Sequence, residues 1–426
     1  MTAPRLLLDP REVARQIAAD APLPFMGFAR LMRLATGGLP IHEIGTLLAH
    51  RLGRRYPPDA NVLMDLATTA FLSLSPDNRA SAFAIQRQAL GLQQLYRLPA
   101  VRLPALRVLA FMAPGDMTAN TPLDCLLEES DVELTLLYAT PEMPIPAQLP
   151  EHDVAFVAVG ESGENRATLL WLAKALRDWP VPIINAPDRI ARLSRDGVAT
   201  MLKSIPGIEI PATVRVDRAR LAQLGNARLG IEDLLPDAGF PAIVRPLGSQ
   251  GGKDLVRVYT PADVLAYLSQ VQEHEFFMSR FVDYSRPDGL FRKYRVVWID
   301  GKAFACHMAI STHWMIHYVN ADMDASAAKR AEEAQFMRDF DSDFAHRHRD
   351  CLVAINQLVG LDYFAIDCAE TADGRLLVFE LDNAMLVHAT DAPEIYPYKL
   401  PQMRLLFKAF RAMLEGMSRS NPAVLR

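Results

Sequence analysis

Leu361-Asp362-Tyr363-Phe364-Ala365-Ile366-Asp367-Cys368 and Arg375-Leu376-Leu377-Val378-Phe379-Glu380-Leu381-Asp382 are the two runs whose reading decides the fold. Both are apolar segments of strand length, and Asp373-Gly374 stands between them. Asp-Gly between apolar runs signals a two-residue hairpin. A turn closing on that dipeptide sets Ala372 opposite Arg375, and the register then puts Asp367 opposite Glu380. Asp382 lies two residues on and shares their face. The other face carries Phe364, Ile366, Cys368, Leu377, Phe379 and Leu381, a core face. Carboxylates so placed repel one another, and a half-buried cluster of them needs a proton or a cation. Oxygen-only ligands suit Mg²⁺ or Mn²⁺. The alternative is a solvated acidic face.

The 426 residues suffice for two to four domains. Half the residues are hydrophobic and about a fifth are charged, as in soluble globular proteins. A net charge of −5 gives no electrostatic case for nucleic acid or an anionic membrane. Cys125, Cys306, Cys351 and Cys368 are far apart, which points to a reducing compartment rather than a disulfide scaffold. No apolar run is long enough to span a bilayer, and Leu6-Leu7-Leu8 is cut at once by Asp9-Pro10-Arg11-Glu12. The expectation is a cytoplasmic protein without nucleic-acid or membrane partners.

Residues 1 to 98 read as all-helical. Apolar stripes begin at Val13, Phe25, Ile41, Val62 and Ala80, the last running to Tyr96. Breaks at Gly37-Gly38-Leu39-Pro40, Tyr56-Pro57-Pro58-Asp59 and Ser75-Pro76-Asp77 separate them. Paired helices broken in this way resemble tetratricopeptide-like domains in pattern, with a plain bundle as the alternative. Leu98 to Pro104 reads as a linker. From 105 to 188, strands at Arg107–Met112, Glu133–Tyr138, Asp153–Val159 and Pro182–Asn185, with a helix at Asn165–Leu176, suggest a small parallel α/β domain. Residues 189 to 420 read as α+β. A helix at Ile190–Ser204 comes first, and a second Asp-Gly hairpin follows about Asp300-Gly301. A solvated helix at Ala327–Phe340 carries Lys329, Arg330, Glu332 and Glu333.

Strand Ala242–Leu247 leads into Gly248-Ser249-Gln250-Gly251-Gly252-Lys253 and then directly into strand Leu255–Tyr259. Glycines let backbone N–H groups approach phosphate oxygens. The spacing is not that of a Walker A loop, and no helix follows as in a Rossmann fingerprint. The loop is either a flap over phosphates or an ordinary hairpin turn. Arg245, on a strand face with Ile243 and Leu247, is a half-buried cation that wants an anion.

In order and spacing, these pieces resemble the ATP-grasp superfamily. Pro241-Ala242-Ile243-Val244-Arg245-Pro246 resembles its "P-x-V-V-K-P" strand, with Arg245 in place of lysine. Gly248–Lys253 resembles its glycine flap. Phe277-Met278-Ser279-Arg280-Phe281-Val282 resembles the strand whose backbone meets adenine, and Tyr294-Arg295-Val296-Val297 with Asp300-Gly301 its "D-x-R-x-x-V-x-G" hairpin. Asp367, Glu380 and Asp382 match its D…E-x-N magnesium triad, with Asp382 for asparagine. Arg195-Asp196-Gly197 resembles its "R-D-K" but has glycine where a nucleotide-binding lysine is expected; either Lys203 substitutes or that contact is absent. Asn383-Ala384-Met385 replaces the usual "S-P-G". The likeness is greatest to the glutathione-synthetase and ribosomal-protein glutamate-ligase branch.

The resemblance covers roughly residues 105 to 415 and implies an α/β pre-ATP-grasp domain (105–188) and an α+β ATP-grasp fold (189–420); with the all-α N-terminal domain read from the helical stripes of 1–98, the chain is expected to be multidomain. It implies ATP bound by Arg245, Ser249, Gln250, Gly251, Gly252, Lys253, Met278, Ser279, Arg280, Phe281 and Lys203. Mg²⁺ or Mn²⁺ would be held by Asp367, Glu380 and Asp382, and Arg295, His307 and His317 would be catalytic. The implied reaction joins a carboxylate to an amine through an acyl phosphate, releasing ADP and phosphate. One substrate could be a peptide held by the helical segment, and the family leans towards dimers or tetramers. Two other readings stand beside it: a non-catalytic ATP-binding scaffold, and a phosphotransferase. His307, His313 and His317 could alternatively bind zinc, if 313–317 is helical, or be ordinary hydrogen-bonded histidines.

Overall fold

The computed structural model describes residues 9–420 except 20, 55–56, 74–75, 236–238 and 250. Gln250 of the glycine loop, and Tyr56 and Ser75 of the helix breaks, therefore lie outside the described residues. The chain divides into two compact units: residues 1–191 with 361–363 and 383–426, and residues 192–360 with 364–382.

The first unit begins with α1 (Pro10–Ala18), α2 (Gly27–Thr36), α3 (Ile41–Leu52), α4 (Ala60–Leu72) and α5 (Pro76–Leu92). Asp9 and Asp59 cap α1 and α4 by accepting the N–H groups of Arg11 and Asn61. Val13, Ile17, Leu31, Leu34, Ile44, Leu48 and Val62 turn their stripes to a common core. Asp65, fully buried on α4, accepts the N–H groups of Met26 and Gly27 at 2.9 and 3.0 Å. These donors at the start of α2 would otherwise lack partners.

The same unit continues through β1 (Leu95–Leu98), β2 (Leu106–Met112), α6 (Leu123–Leu127), β3 (Val132–Tyr138), β4 (Val154–Val157), α7 (Arg166–Ala175), β5 (Ile183–Ile184) and α8 (Pro187–Ile190). The sheet order is β1-β3-β2-β4-β5. Its last four strands run parallel, as the alternating pattern predicts, and β1 is an antiparallel edge. The helix expected to reach Tyr96 stops at Leu92, and Tyr96 becomes a fully buried strand residue. Leu98 to Pro104 thus joins two strands of one sheet.

The second unit holds α9 (Arg195–Leu202), β6 (Ile208–Glu209), β7 (Thr213–Asp217), α10 (Arg218–Gly225), β8 (Ala242–Pro246), β9 (Val256–Val258), α11 (Pro261–Gln270) and β10 (Glu275–Arg280). It continues with β11 (Phe291–Ile299), β12 (Lys302–Ser311), α12 (Ala327–Asp339), α13 (Phe344–Arg347), α14 (Arg349–Val359), β13 (Tyr363–Glu370) and β14 (Leu376–Asp382). The last helix, α15 (Lys399–Arg419), belongs to the first unit, where Phe410 packs on Phe156 and Tyr363. One sheet is ordered β7-β10-β8-β9 and the other β12-β11-β13-β14-β6. Val216, Val244, Val258, Phe276 and Met278 bury one face of the former against Leu221, Leu224, Val264 and Leu268 of α10 and α11.

Two further helix expectations change. The helix expected at 190–204 is broken into α8 and α9, with Ser194 capping α9 through the Gly197 N–H. α12 is no solvated face. Glu333 is fully buried, accepting from Met308 N–H and Tyr318 Oη, while Glu332 pairs with Arg292. Lys329 and Arg330 donate to the carbonyls of Ala321 and Met323.

Candidate functional site

The Asp300-Gly301 turn forms as expected: Ile299 faces Lys302, and both turn residues have positive φ, as a type I′ turn requires. Asp373-Gly374 does not form the same turn. Thr371 faces Arg375 through N–H···O at 3.0 Å, and the Thr371 hydroxyl accepts the Arg375 N–H at 3.0 Å. Only Gly374 has positive φ, so the loop has three residues, 372–374. That shifts the register by one, and Cys368 pairs with Val378. A bulge between Asp367 and Cys368 absorbs Phe379 and shifts it back, so Asp367 faces Glu380 after all. Leu377 and Phe379 leave the core face that was expected for them. Val378 takes a place opposite Cys368, and Phe379 packs on Tyr284, ring centroids 5.0 Å apart.

Asp367 is buried and surrounded by cations. Arg295 Nε and Nη2 donate to its two oxygens at 2.7 and 3.0 Å, and Lys293 Nζ donates at 2.9 Å. Burial alone would raise its pKa, but Arg295 and Lys293 outweigh burial and hold it well below the carboxylate range. Arg295 is itself desolvated, yet Asp367 keeps its pKa above the ordinary arginine value. Glu380 pairs with Arg195. Burial raises its pKa and Arg195 opposes that, leaving it lowered. Asp382 stands opposite Ala365 at the strand end. A second bulge, at Cys306, lets His307 face Arg295.

These carboxylates do not fit a divalent cation as they stand. Both Asp367 oxygens and one Glu380 oxygen are held by Arg295, Lys293 and Arg195. Among the described residues, no three His, Cys, Asp or Glu side chains stand close enough to hold a metal ion. That covers the three histidines also: His313 is exposed, and 311–317 is not helical.

The glycine loop closes on the same neighbourhood. Arg245, buried on β8, donates Nε to Ser249 Oγ at 3.0 Å and Nη2 to the Ser249 carbonyl. Burial and then the repulsion of Arg195 lower its pKa to about 10. Gly251 and Gly252 have φ of +60° and +71°. A Cβ at Gly252 would overlap His317 Nε2 and crowd Met315 Sδ. His317 Nε2 is buried and has no hydrogen-bond partner. Burial and then the charge of Lys293 lower its pKa, with Glu380 and Asp367 opposing. His317 thus stands between the loop and the paired carboxylates. The His307 ring lies tilted against Tyr318, 5.1 Å between ring centroids. Lys253 is exposed at the loop end.

The adenine-strand residues separate by face. Phe277 faces Arg245 and Ser279 faces Ile243 across β8, whereas Met278 is buried in the opposite core. β10 lies between β7 and β8, which occupies the Met278 and Ser279 backbone, and Phe281 N–H donates to Pro241 O at 3.2 Å. Arg280 pairs with Glu209. Phe281 lies under Arg257, 4.4 Å from ring centroid to guanidinium, beside Trp314. Lys203 is exposed at the C-cap of α9, eight residues along from Arg195. Arg195 at the helix start is the residue that reaches Glu380. A side chain at Gly197 would meet the Arg192 carbonyl at 2.5 Å, so lysine does not fit there. The sequence singled out Arg195 only within the R-D-K match and without this pairing, and Lys293 was missed, although strand alternation puts Lys293 on the face of Arg295.

No family model and no curated protein sequence matches this chain. It is similar to a D-alanine–D-alanine ligase from Bacillus anthracis solved with ATP, at 15% identity and TM-score 0.43, covering 74% of this chain and 97% of that one. It is similar to a RimK domain ATP-grasp protein from Sphaerobacter thermophilus at 14% identity and TM-score 0.40, covering 71% and 99%. It is also similar to the VanG D-Ala:D-Ser ligase from Enterococcus faecalis at 13% identity and TM-score 0.44, covering 74% and 99%. At TM-scores below 0.5 these likenesses assign no role to any residue of this chain.

Proposed function

We propose that this chain is an ATP-dependent carboxylate–amine ligase of the ATP-grasp kind. The observation that carries the reading is the meeting, within one unit, of a glycine loop gripped by Arg245, a buried carboxylate clamped by Lys293 and Arg295, and His317 between them. ATP phosphate oxygens replace Ser249 as the partners of Arg245, and the loop N–H groups add donors. The γ-phosphoryl passes to a substrate carboxylate oxygen, and ADP leaves. Lys293 and Arg295 stabilise the charge on the transferring group. An amine nitrogen then attacks the acyl carbon, and phosphate leaves as the amide forms. His317, held neutral by burial, takes the amine proton on Nε2. The loop, seated on His317, keeps water from the acyl phosphate.

A second reading is a nucleotide-binding protein without turnover. The satisfied state of Asp367 favours it, since both oxygens already have cationic partners. One experiment separates the two. ADP release is followed with ATP and pools of amino acids and peptides. The ligase reading expects acceptor-dependent ADP and phosphate in equal amounts, lowered roughly a hundredfold in Lys293→Met, with thermal melts confirming the fold. ATP binding without turnover for any pool sinks the ligase reading and supports the other. Phosphate failing to appear with ADP points to phosphotransfer.

A further inference from the structure

The first unit contains a cavity of about 390 Å³ that the proposed reaction does not use. It lies between α2, the Leu98–Val101 stretch, α6 and β3, and that volume is within the range of small-ligand pockets. Met26, Leu98, Leu127, Val132 and Leu134 give it an apolar wall. Its charged lining residues are nearly all satisfied. Arg33 pairs with Glu128, Glu129 with Arg404 at 3.2 Å, and Asp124 accepts the Ala29 N–H at 2.8 Å.

Arg30 is different. Its Nε is buried with no hydrogen-bond partner, and no carboxylate among the described residues stands within ion-pair distance of it. The acid that bears on it electrostatically is Asp65, whose two oxygens are taken by the Met26 and Gly27 N–H groups. A half-buried guanidinium beside an apolar wall is costly unless an anion meets it.

We propose that this cavity binds a small carboxylate with an apolar tail. The carboxylate meets Arg30, and the tail lies against Met26, Leu98, Val132 and Leu134. A guanidinium suits a carboxylate because its fork gives two parallel hydrogen bonds. Short fatty acids and apolar amino-acid derivatives share this chemistry.

The test is calorimetric titration of the full chain with octanoate, N-acetylleucine and the uncharged octanol. At least one carboxylate should bind, roughly tenfold or more tighter than octanol. Which of the two binds tells a fatty acid from an amino-acid source. Arg30→Leu should abolish that preference while melting no earlier than the parent, because it removes an unpartnered cation. Ala100→Trp, at the wall, should weaken carboxylate and alcohol alike by obstruction. The proposal is overturned if neither carboxylate binds at millimolar concentration, if octanol binds as tightly, or if Arg30→Leu keeps the preference.

Discussion

Asp367 shows how far a single side chain can be committed before any ligand arrives. Removing its charge takes this partner from Lys293 and Arg295, both mostly buried, and breaking a buried pair on one side costs about 3–5 kcal/mol. Asp367→Asn should therefore lower stability in urea unfolding by about that amount, and Glu380→Gln, more exposed and paired with Arg195, by clearly less. Equal losses would mean that Asp367 is not the anchor. The same pairing predicts that Mg²⁺ or Mn²⁺ without nucleotide leaves the melting temperature unchanged, and a rise on adding either ion alone would contradict the observed pairing. Glu370 gives a pH signature. Burial raises its pKa, but His348 and Arg347 more than offset that, lowering it from 4.5 to about 2. A lowered carboxylate stabilises the fold fully above its unfolded pKa, and that stability is lost as pH falls towards the folded one. The stability difference between wild type and Glu370→Gln should shrink between about pH 4.5 and about pH 2; a constant difference over that window would contradict the assignment.

At the scale of elements, the two Asp-Gly dipeptides show what a sequence can and cannot reveal. Asp300-Gly301 closes as its dipeptide predicts, with Ile299 facing Lys302 and positive φ at both turn residues. At Asp373-Gly374, the Thr371 hydroxyl takes the Arg375 N–H and Arg375 pairs with Asp373, which favours a three-residue loop. Asp367 still meets Glu380 because the bulge at Phe379 cancels the shift. The facing carboxylates were legible, but the route to them was not, since no local composition marks a bulge. The same limit hid His307 facing Arg295 across the Cys306 bulge. Bulges beside a site re-aim side chains, and both of these do so within one sheet. The glycine loop is the other element whose geometry makes a prediction. Gly252 combines positive φ with no room for a Cβ beside His317. Gly252→Ala should weaken ATP binding roughly tenfold by pushing the loop off His317. Adding His317→Ala should restore part of the loss, since the clash goes and only the backbone strain remains. No rescue would mean that the contact with His317 does not hold the loop.

At the scale of the molecule, the change of period near residue 98 was legible, because helical stripes give way to buried strands there. What the period could not show is that β1 belongs with the strands after it. Tyr96 is fully buried, its ring near Phe25 and Tyr138, and β1 pairs with β3 at four positions. An earlier helix, α2, is joined to α6 between β2 and β3: Ala29 N–H donates to Asp124, and Arg33 pairs with Glu128. Removing residues 1–98 would bare the β3 edge, with Leu134 and Leu136 beside it, and an unpaired apolar edge strand is an aggregation hazard. A truncated chain would then fail for reasons unrelated to substrate binding. A cut tests the point more cleanly than a deletion. Leu103 is 90% exposed, so a protease site inserted after Arg102 can be cleaved in the folded protein. The two fragments should co-elute in size-exclusion chromatography under native conditions and melt together. Separation into a folded helical piece and a folded remainder would show that residues 1–98 form an independent domain and that the β1–β3 pairing is dispensable.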